Sequence, residues 1–381
     1  MKQLSVKAPG RINLLGEHLD YNQGVVLPAA IDRYVEFDFI ENSSASFLIE
    51  AQDLNEQWVF LWPELTNSAT SGWKNYVKGV LLLMQLDSHI TQGLHIRFKS
   101  NIPIGAGLSS SAALCCGLAF GLNEFYGLQK TRMELALIAQ QTEHQFAGVQ
   151  CGLMDQVASL FGQEEHLLAF DCGTQQIKPF QLPLRGAQLF LIDSKVKHNL
   201  ADSAYNQRRA SLEQAWLFAK NLFPNLANWP SITAQEANLL LDKLDNETQM
   251  RLRYVLEEMS RVQKVQTLAA QISANEFEPN DFQEYNAQLG SLINQTHAGL
   301  RDLYEVSCPE LDFLQGCMLA NKGIYGARIM GGGFGGCLLV LAKTAFSPTI
   351  ELAPIFDAYQ RQFGINAEYY PIQIANGVQL I

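Results

Sequence analysis

The chain is poor in positive charge: 27 Lys and Arg stand against 38 Asp and Glu in 381 residues, a formal net charge of -11. No basic stripe or tail gathers the cations, so nucleic acid and anionic membrane are excluded as expected partners, and an anionic substrate needs a local positive site. Long apolar runs are also missing. Segments such as Val80 to Leu86 are far too short to cross a bilayer, and Met1-Lys2-Gln3-Leu4-Ser5-Val6-Lys7 lacks the apolar stretch of a secretory signal. A cytoplasmic protein is expected. The seven cysteines (Cys115, Cys116, Cys151, Cys172, Cys308, Cys317 and Cys337) are odd in number and lack metal-ligand spacing, which predicts reduced, mostly buried thiols. His18, His144 and His198 form no HExxH pair, so no zinc site is expected. The absence of a Gly-x-Ser-x-Gly elbow removes support for a serine hydrolase.

A hydrophobic content of 48% over this length predicts a large core and more than one domain. There is no internal repeat or low-complexity tract. Strand-like and helix-like stretches mix through the first half, which predicts an α+β fold with mixed sheets. Val25 to Ile31, Tyr34 to Ile40, Ala45 to Ala51, Gln57 to Leu61 and Leu94 to Phe98 read as strands, and Trp73 to Met84 as an amphipathic helix. Ser110 to Tyr126, closed by Gly127, reads as a buried helix; Thr131 and Glu134 form a capping-box pattern opening the next, whose stripe ends at Gly148. Leu167 to Phe170 and Leu189 to Ile192 return to strand. From about 205 to 299 the composition turns helical, interrupted by an irregular or short-helical stretch over 221–246, and Leu311 to Ala320 is one more helix. The expected division is residues 1–190 and 191–381, with the boundary inside 185–205.

Gly16-Glu17-His18-Leu19-Asp20-Tyr21 closes an apolar stretch with two carboxylates, an imidazole and a phenol, followed by Asn22-Gln23-Gly24 turn chemistry. Such crowding suits a pocket that hydrogen-bonds several hydroxyls, as a polar polyol requires. Pro103-Ile104-Gly105-Ala106-Gly107-Leu108-Ser109-Ser110-Ser111 joins a strand to a helix through small residues, letting backbone N–H groups and the helix start converge on phosphate. It is no Walker A loop, because no Lys follows; a serine-capped glycine turn is the structural alternative. Gly331-Gly332-Gly333-Phe334-Gly335-Gly336 contains GxGxxG, yet the β-prone Cys337 to Leu341 follows where a dinucleotide fold needs a helix. That loop is expected to pack on the other glycine loop or on a nucleotide, with a plain hairpin as the alternative.

Asp155 falls in the first turn of a short helix, where ordinary dipole complementation is the reading its position alone favours over chemistry. Glu143 borders a buried stripe and, with a serine of Ser109 to Ser111, could offer Mg²⁺ two hard oxygen ligands; otherwise it is a helix-edge acid.

Gly10-Arg11 through Tyr21, Pro103 through Ala113, and Gly326-Ala327-Arg328-Ile329-Met330 through Cys337 resemble the three motifs of the GHMP small-molecule kinases, closest to those acting on galactose. Trp73 through Gly79, Cys151 through Gln156 and Lys197-His198-Asn199-Leu200 through Tyr205 extend the resemblance along most of the chain. It implies a two-domain fold with ATP and a sugar between the lobes, and phosphoryl transfer to the C1 hydroxyl of galactose. By resemblance Glu17, His18, Leu19, Asp20, Gly152, Asp155 and Tyr205 contact the sugar. Gly105, Ala106, Gly107, Leu108, Ser109, Ser110 and Ser111 wrap the triphosphate, Trp73 and Tyr76 border adenine, and Ser111 with Glu143 holds Mg²⁺. Asp155 is the implied base and Arg11 its partner, which leaves open whether Asp155 takes the proton or only orients the hydroxyl. Leu19 and Met330 stand where the family usually has Thr. The alternatives are a kinase for N-acetylgalactosamine or arabinose, and a non-catalytic galactose and ATP sensor, disfavoured by the intact serine loop. A monomer is expected.

Overall fold

Alternation in Tyr34-Val-Glu-Phe-Asp-Phe-Ile40 puts Val35, Phe37 and Phe39 on one face of a strand, and all three are buried. The computed structural model describes residues 2–66, 69–90, 92–103, 105–196, 201–274 and 279–381, without the side chains of 201–205, 273, 274, 279 and 280. These three residues sit in Pro28–Glu41, inside a six-stranded sheet ordered Gln379–Leu380, Gln3–Asn13, Pro28–Glu41, Leu94–Ser100, Ser46–Ala51, Glu56–Leu61. Every neighbouring pair is antiparallel except Leu94–Ser100 with Ser46–Ala51. The helix Ser110–Tyr126 lies against this sheet. At Gly117 and Gly121 it approaches so closely that an added Cβ would fall 2.3 Å from the Phe37 ring and 2.1 Å from that of Phe39.

One expected division differs. Instead of strands over Val25 to Ile31 and Tyr34 to Ile40, Val25–Val26 pairs with His166–Asp171 in a sheet completed by Gln176–Gln181, and Pro28–Glu41 runs on as one strand. The polar break at Asp32-Arg33 falls where the register jumps from Pro9 opposite Tyr34 to Arg11 opposite Ala30, and Pro28–Glu41 still runs on as one strand because Gln3–Asn13 pairs with it on both sides of that irregularity.

Ile324–Ile329, Cys337–Lys343, Ala187–Asp193 and Glu368–Pro371 form an antiparallel sheet, so the glycine-rich loop does join two strands. The expected helical region comprises Ala201–Leu222, Ala234–Leu241, Asn246–Ala274 and Pro279–Asp302. The residues near 372–381 cross back: Ile374 bridges Ile31, and Leu380 pairs with Val6. All seven cysteines are free thiols, four of them buried. Among the described residues no helix is long and apolar enough to cross a membrane.

Candidate active site

The first strand ends in a turn that few residues could make. Gly16 has φ +101°, and an added Cβ would lie 3.0 Å from Val25 O and Val26 Cα. His18 follows at φ 63°, its ring 4.6 Å from that of Tyr304 and its Nδ1 2.8 Å from the Tyr21 hydroxyl. Burial, then the charges of Arg208 and Arg328, lowers the His18 pKa to about 3, so the ring is neutral at physiological pH. Asp20 lies against Gly152, where a Cβ would fall 2.0 Å from its Oδ2. Glycine at 152 is therefore what lets the acid reach its place.

Asp155 opens the helix Met154–Phe161 and is gripped by Arg11, whose Nε and Nη2 donate to its two oxygens at 2.7 and 3.1 Å. Ser109 Oγ donates to the same carboxylate, and Arg11 Nη1 donates to Gly107 O at 2.6 Å. Burial alone would lower the Arg11 pKa, yet the charges of Asp155 and Glu17 raise it and keep the guanidinium cationic. A two-pronged charged pair fixes both position and plane. The serine turn bends through positive φ at Gly105, Gly107 and Ser109, and the helix begins at Ser110. Ser111 Oγ donates to Glu143 Oε2 at 3.1 Å and Gln156 Nε2 to Glu143 Oε1 at 2.8 Å. The expected helix does not continue through Glu143; it gives way to a π-helical turn, Glu143–Ala147, that buries this acid instead of leaving it at an edge. Burial, then the charge of Asp155, pushes its pKa up to about 7.

A cavity of about 230 Å³ is lined by Arg11, Glu17, His18, Asp20, Gly152 and Asp155, closed by Gly331–Gly333 and by Val149, Cys151 and Met154. This is smaller than the roughly 300–1,000 Å³ of sites for drug-sized ligands, and the polar or ionisable side chains of Arg11, Glu17, His18, Asp20 and Asp155 converge on it among glycines and apolar residues, a scale and chemistry that suit a monosaccharide. Burial, then the charges of Asp155 and Glu17, pushes the Asp20 pKa up to about 7. Asp20 can thus donate to one hydroxyl or accept from another near neutrality. A larger groove of about 1,360 Å³, lined mainly by residues within 181–190 and 369–374, contains none of the residues of the three motifs.

The two glycine loops touch: a Cβ on Gly331 would be 3.7 Å from Gly107 O, and one on Gly336 3.5 Å from Ala106 O. Glu17 ties the sugar-signature turn to the second loop, with Oε1 accepting from Gly331 N at 2.8 Å and from Arg328 Nη1 and Nη2 at 3.2 Å, while Oε2 accepts from Asn13 Nδ2 at 3.1 Å. Its carboxylate is largely engaged within the protein.

Other residues named from sequence lie apart from the cavity. Leu19 is fully buried, its side chain against Gly24, and Met330 is buried too, so neither missing Thr hydroxyl leaves a gap in the cavity wall. Trp73 and Tyr76 stand at the start of Trp73–Leu83, half-buried; the Trp73 indole donates to Glu56 Oε2 at 2.8 Å. Ile104, Lys197, His198, Asn199, Leu200 and the Tyr205 side chain lie outside the described residues. Sequence reading assigned no role to Asn13, Gln156 or Arg328. Arg328 carried a signal, a cation inside an apolar strand, and is fully buried with donors on Leu14 O, Ile329 O and Glu17.

This fold and this constellation define a small-molecule kinase of the GHMP class. The models for the GHMP kinases N terminal domain and C terminal domain match residues 75–163 and 282–349, and the galactokinase galactose-binding signature matches 2–37. The galactokinase of Thermotoga maritima is 38% identical over 379 residues, covering 99% of this chain and all of that one, and that of Thermosipho africanus is 39% identical over 380. The crystal structure of Lactococcus lactis galactokinase complexed with galactose superposes with a TM-score of 0.88 at 28% identity, covering 99% of this chain and 95% of that chain. A mevalonate kinase, at 16% identity and TM-score 0.65, shares the fold. The chain belongs to the galactokinase family.

Proposed function

We propose that the protein transfers the γ-phosphoryl group of ATP to the C1 hydroxyl of galactose. The observation that carries this reading is Asp155, held in a fixed plane by Arg11 and Ser109 where the cavity lined by His18 and Asp20 meets the serine turn. The hydroxyls of the sugar exchange hydrogen bonds with Asp20, neutral His18 and the backbone beside Gly152, and Tyr205 completes the set. Asp155 orients the C1 hydroxyl and accepts its proton as the bond to phosphorus forms; Arg11 steadies Asp155 and offsets charge on the transferring group. The residues at the serine turn suit Mg²⁺ held jointly by protein and nucleotide: Ser111 and Glu143 present hard oxygen atoms, and the described residues contain no cluster of three or more His, Cys, Asp or Glu able to hold a metal alone. When bound there, the ion supplies neutralisation of phosphate charge. Gly105 through Ser111 wrap the triphosphate, and Trp73 and Tyr76 border adenine.

The lobes divide between 185 and 205, with the stretch near 372–381 returning to the first. Each chain holds a full set of these groups, so the monomer is the working unit, and dependence on ATP fits a cytoplasmic setting. Incubation with ATP, Mg²⁺ and galactose yields galactose 1-phosphate, detected by phosphorus NMR. A panel with N-acetylgalactosamine and arabinose ranks the sugars by kcat/KM, and absence of product with every sugar overturns the reading.

A further inference from the structure

The turn that carries Glu17 to Asp20 is held from behind by a helix more than two hundred residues away in sequence. Glu258, midway along Asn246–Ala274, is fully buried, and every hydrogen bond it makes bears on this turn or its support. Its Oε1 accepts from Gly16 N at 2.7 Å, and its Oε2 accepts from Arg261 Nε at 2.7 Å and from Thr296 Oγ1 at 2.8 Å. One helical turn earlier on the same face, the Tyr254 hydroxyl donates to Glu17 O at 3.0 Å. The helix thus grips two adjacent residues of the turn, the N–H of Gly16 and the carbonyl of Glu17, through side chains that do not line the sugar cavity.

The second helix of the pair completes a circuit. Thr296 anchors Glu258, and the next residue, His297, accepts through Nδ1 from Ile329 N at 3.3 Å. Asn294 holds the same strand by donating to Tyr325 O at 3.2 Å and accepting from Ala327 N at 2.9 Å. That strand leads into Gly331, whose N–H binds Glu17. Turn and glycine loop hang from one helix pair.

We propose that Glu258 and Tyr254 are positioning residues for the sugar: by fixing the backbone at Gly16 and Glu17 they set the left-handed conformation of His18 and the aim of Asp20. The proposal rests on the reading of this cavity as the sugar site. A carboxylate receiving a backbone N–H in a buried setting makes a stronger bond than a neutral pair, and freeing the turn costs whatever ligand the turn had prearranged.

The test measures galactose and ATP binding by titration calorimetry, with steady-state kinetics, for Tyr254→Phe and Glu258→Gln in the full chain. Tyr254→Phe keeps the ring and removes one hydroxyl, so it remains informative if Glu258→Gln folds poorly. The expected result is a rise of about three- to tenfold in galactose Kd and KM, larger for Glu258→Gln, with ATP affinity held within about twofold. Ile49→Val, in the strand Ser46–Ala51, serves as a comparison that lowers stability without touching the turn and leaves galactose affinity unchanged. Galactose affinity unchanged in Tyr254→Phe, or galactose and ATP affinity falling together, overturns the proposal. Failure of the unaltered protein to phosphorylate galactose would instead strike the functional reading.

Discussion

At the scale of residues, the cleft is governed by how few cations serve many acids: Arg11 and Arg328 face Asp155, Glu17, Asp20 and Glu143. If Asp155 takes the proton, Asp155→Asn lowers kcat by about 10²-fold or more in a coupled assay, while ATP binding stays near normal because the serine turn is intact. Arg11→Ala raises the barrier by about 3 kcal/mol or more, read as loss of kcat/KM, by analogy with losing one donor to developing charge. The raised pKa of Asp20 carries a sign. The native state keeps a proton that the unfolded chain releases near pH 4, so this group's contribution weakens from there to about pH 7 and then levels. Asp20→Asn, compared with the unaltered protein by urea unfolding at pH 5 and pH 8, should therefore gain relative stability at the higher pH. Local chemistry made Asp155 and the serines legible, since each sits beside a turn or helix start, while Glu143 was legible only as an acid bordering a buried helical stripe. Asn13, Gln156 and Glu258 were not legible, because their partners are set by packing between distant segments and no spacing betrays them.

At the scale of elements, termination signals were the most legible part. Thr131 and Glu134 do close a capping box, with Thr131 N donating to Glu134 Oε2 at 2.7 Å and Thr131 Oγ1 accepting from Glu134 N at 3.3 Å. Thr131→Ala should cost about 1 kcal/mol in denaturant unfolding and leave the kinetics unchanged, as this end of the helix is exposed. The opposite end was harder. The change to a π-helical turn at Glu143 follows no propensity in Glu-His-Gln-Phe-Ala; it accompanies close packing on the helix Trp73–Leu83, where a Cβ at Gly79 would fall 2.6 Å from Thr142 and 2.8 Å from Phe146. The strand Pro28–Glu41 exceeded its apolar pattern for a similar reason, since pairing with Gln3–Asn13 on either side of the irregularity carries it past two polar residues.

At the scale of the whole molecule, the sugar turn, the second glycine loop and the two long helices share one buried hydrogen-bond network, and the serine turn abuts that loop, which predicts that ligand binding is felt by the entire fold. Galactose at about one hundred times its Kd should stabilise the protein by about 2.7 kcal/mol, seen as a shift of a single transition in scanning calorimetry. Two transitions of which only one moves would show that the lobes melt apart. The long-range topology was the least legible level, because short segments such as Gln379–Leu380 carry too little pattern to announce their partners.

That last pairing bears on how the protein is made. Leu380 lies beside Val6, and Ile381 N donates to Ser5 O at 3.0 Å, so the outermost row of the first sheet is filled by amino acids that leave the ribosome long after the strand they cover. Until then the nascent polypeptide presents that part of Gln3–Asn13, around Val6 and Lys7, as an open β edge, a template for stray pairing.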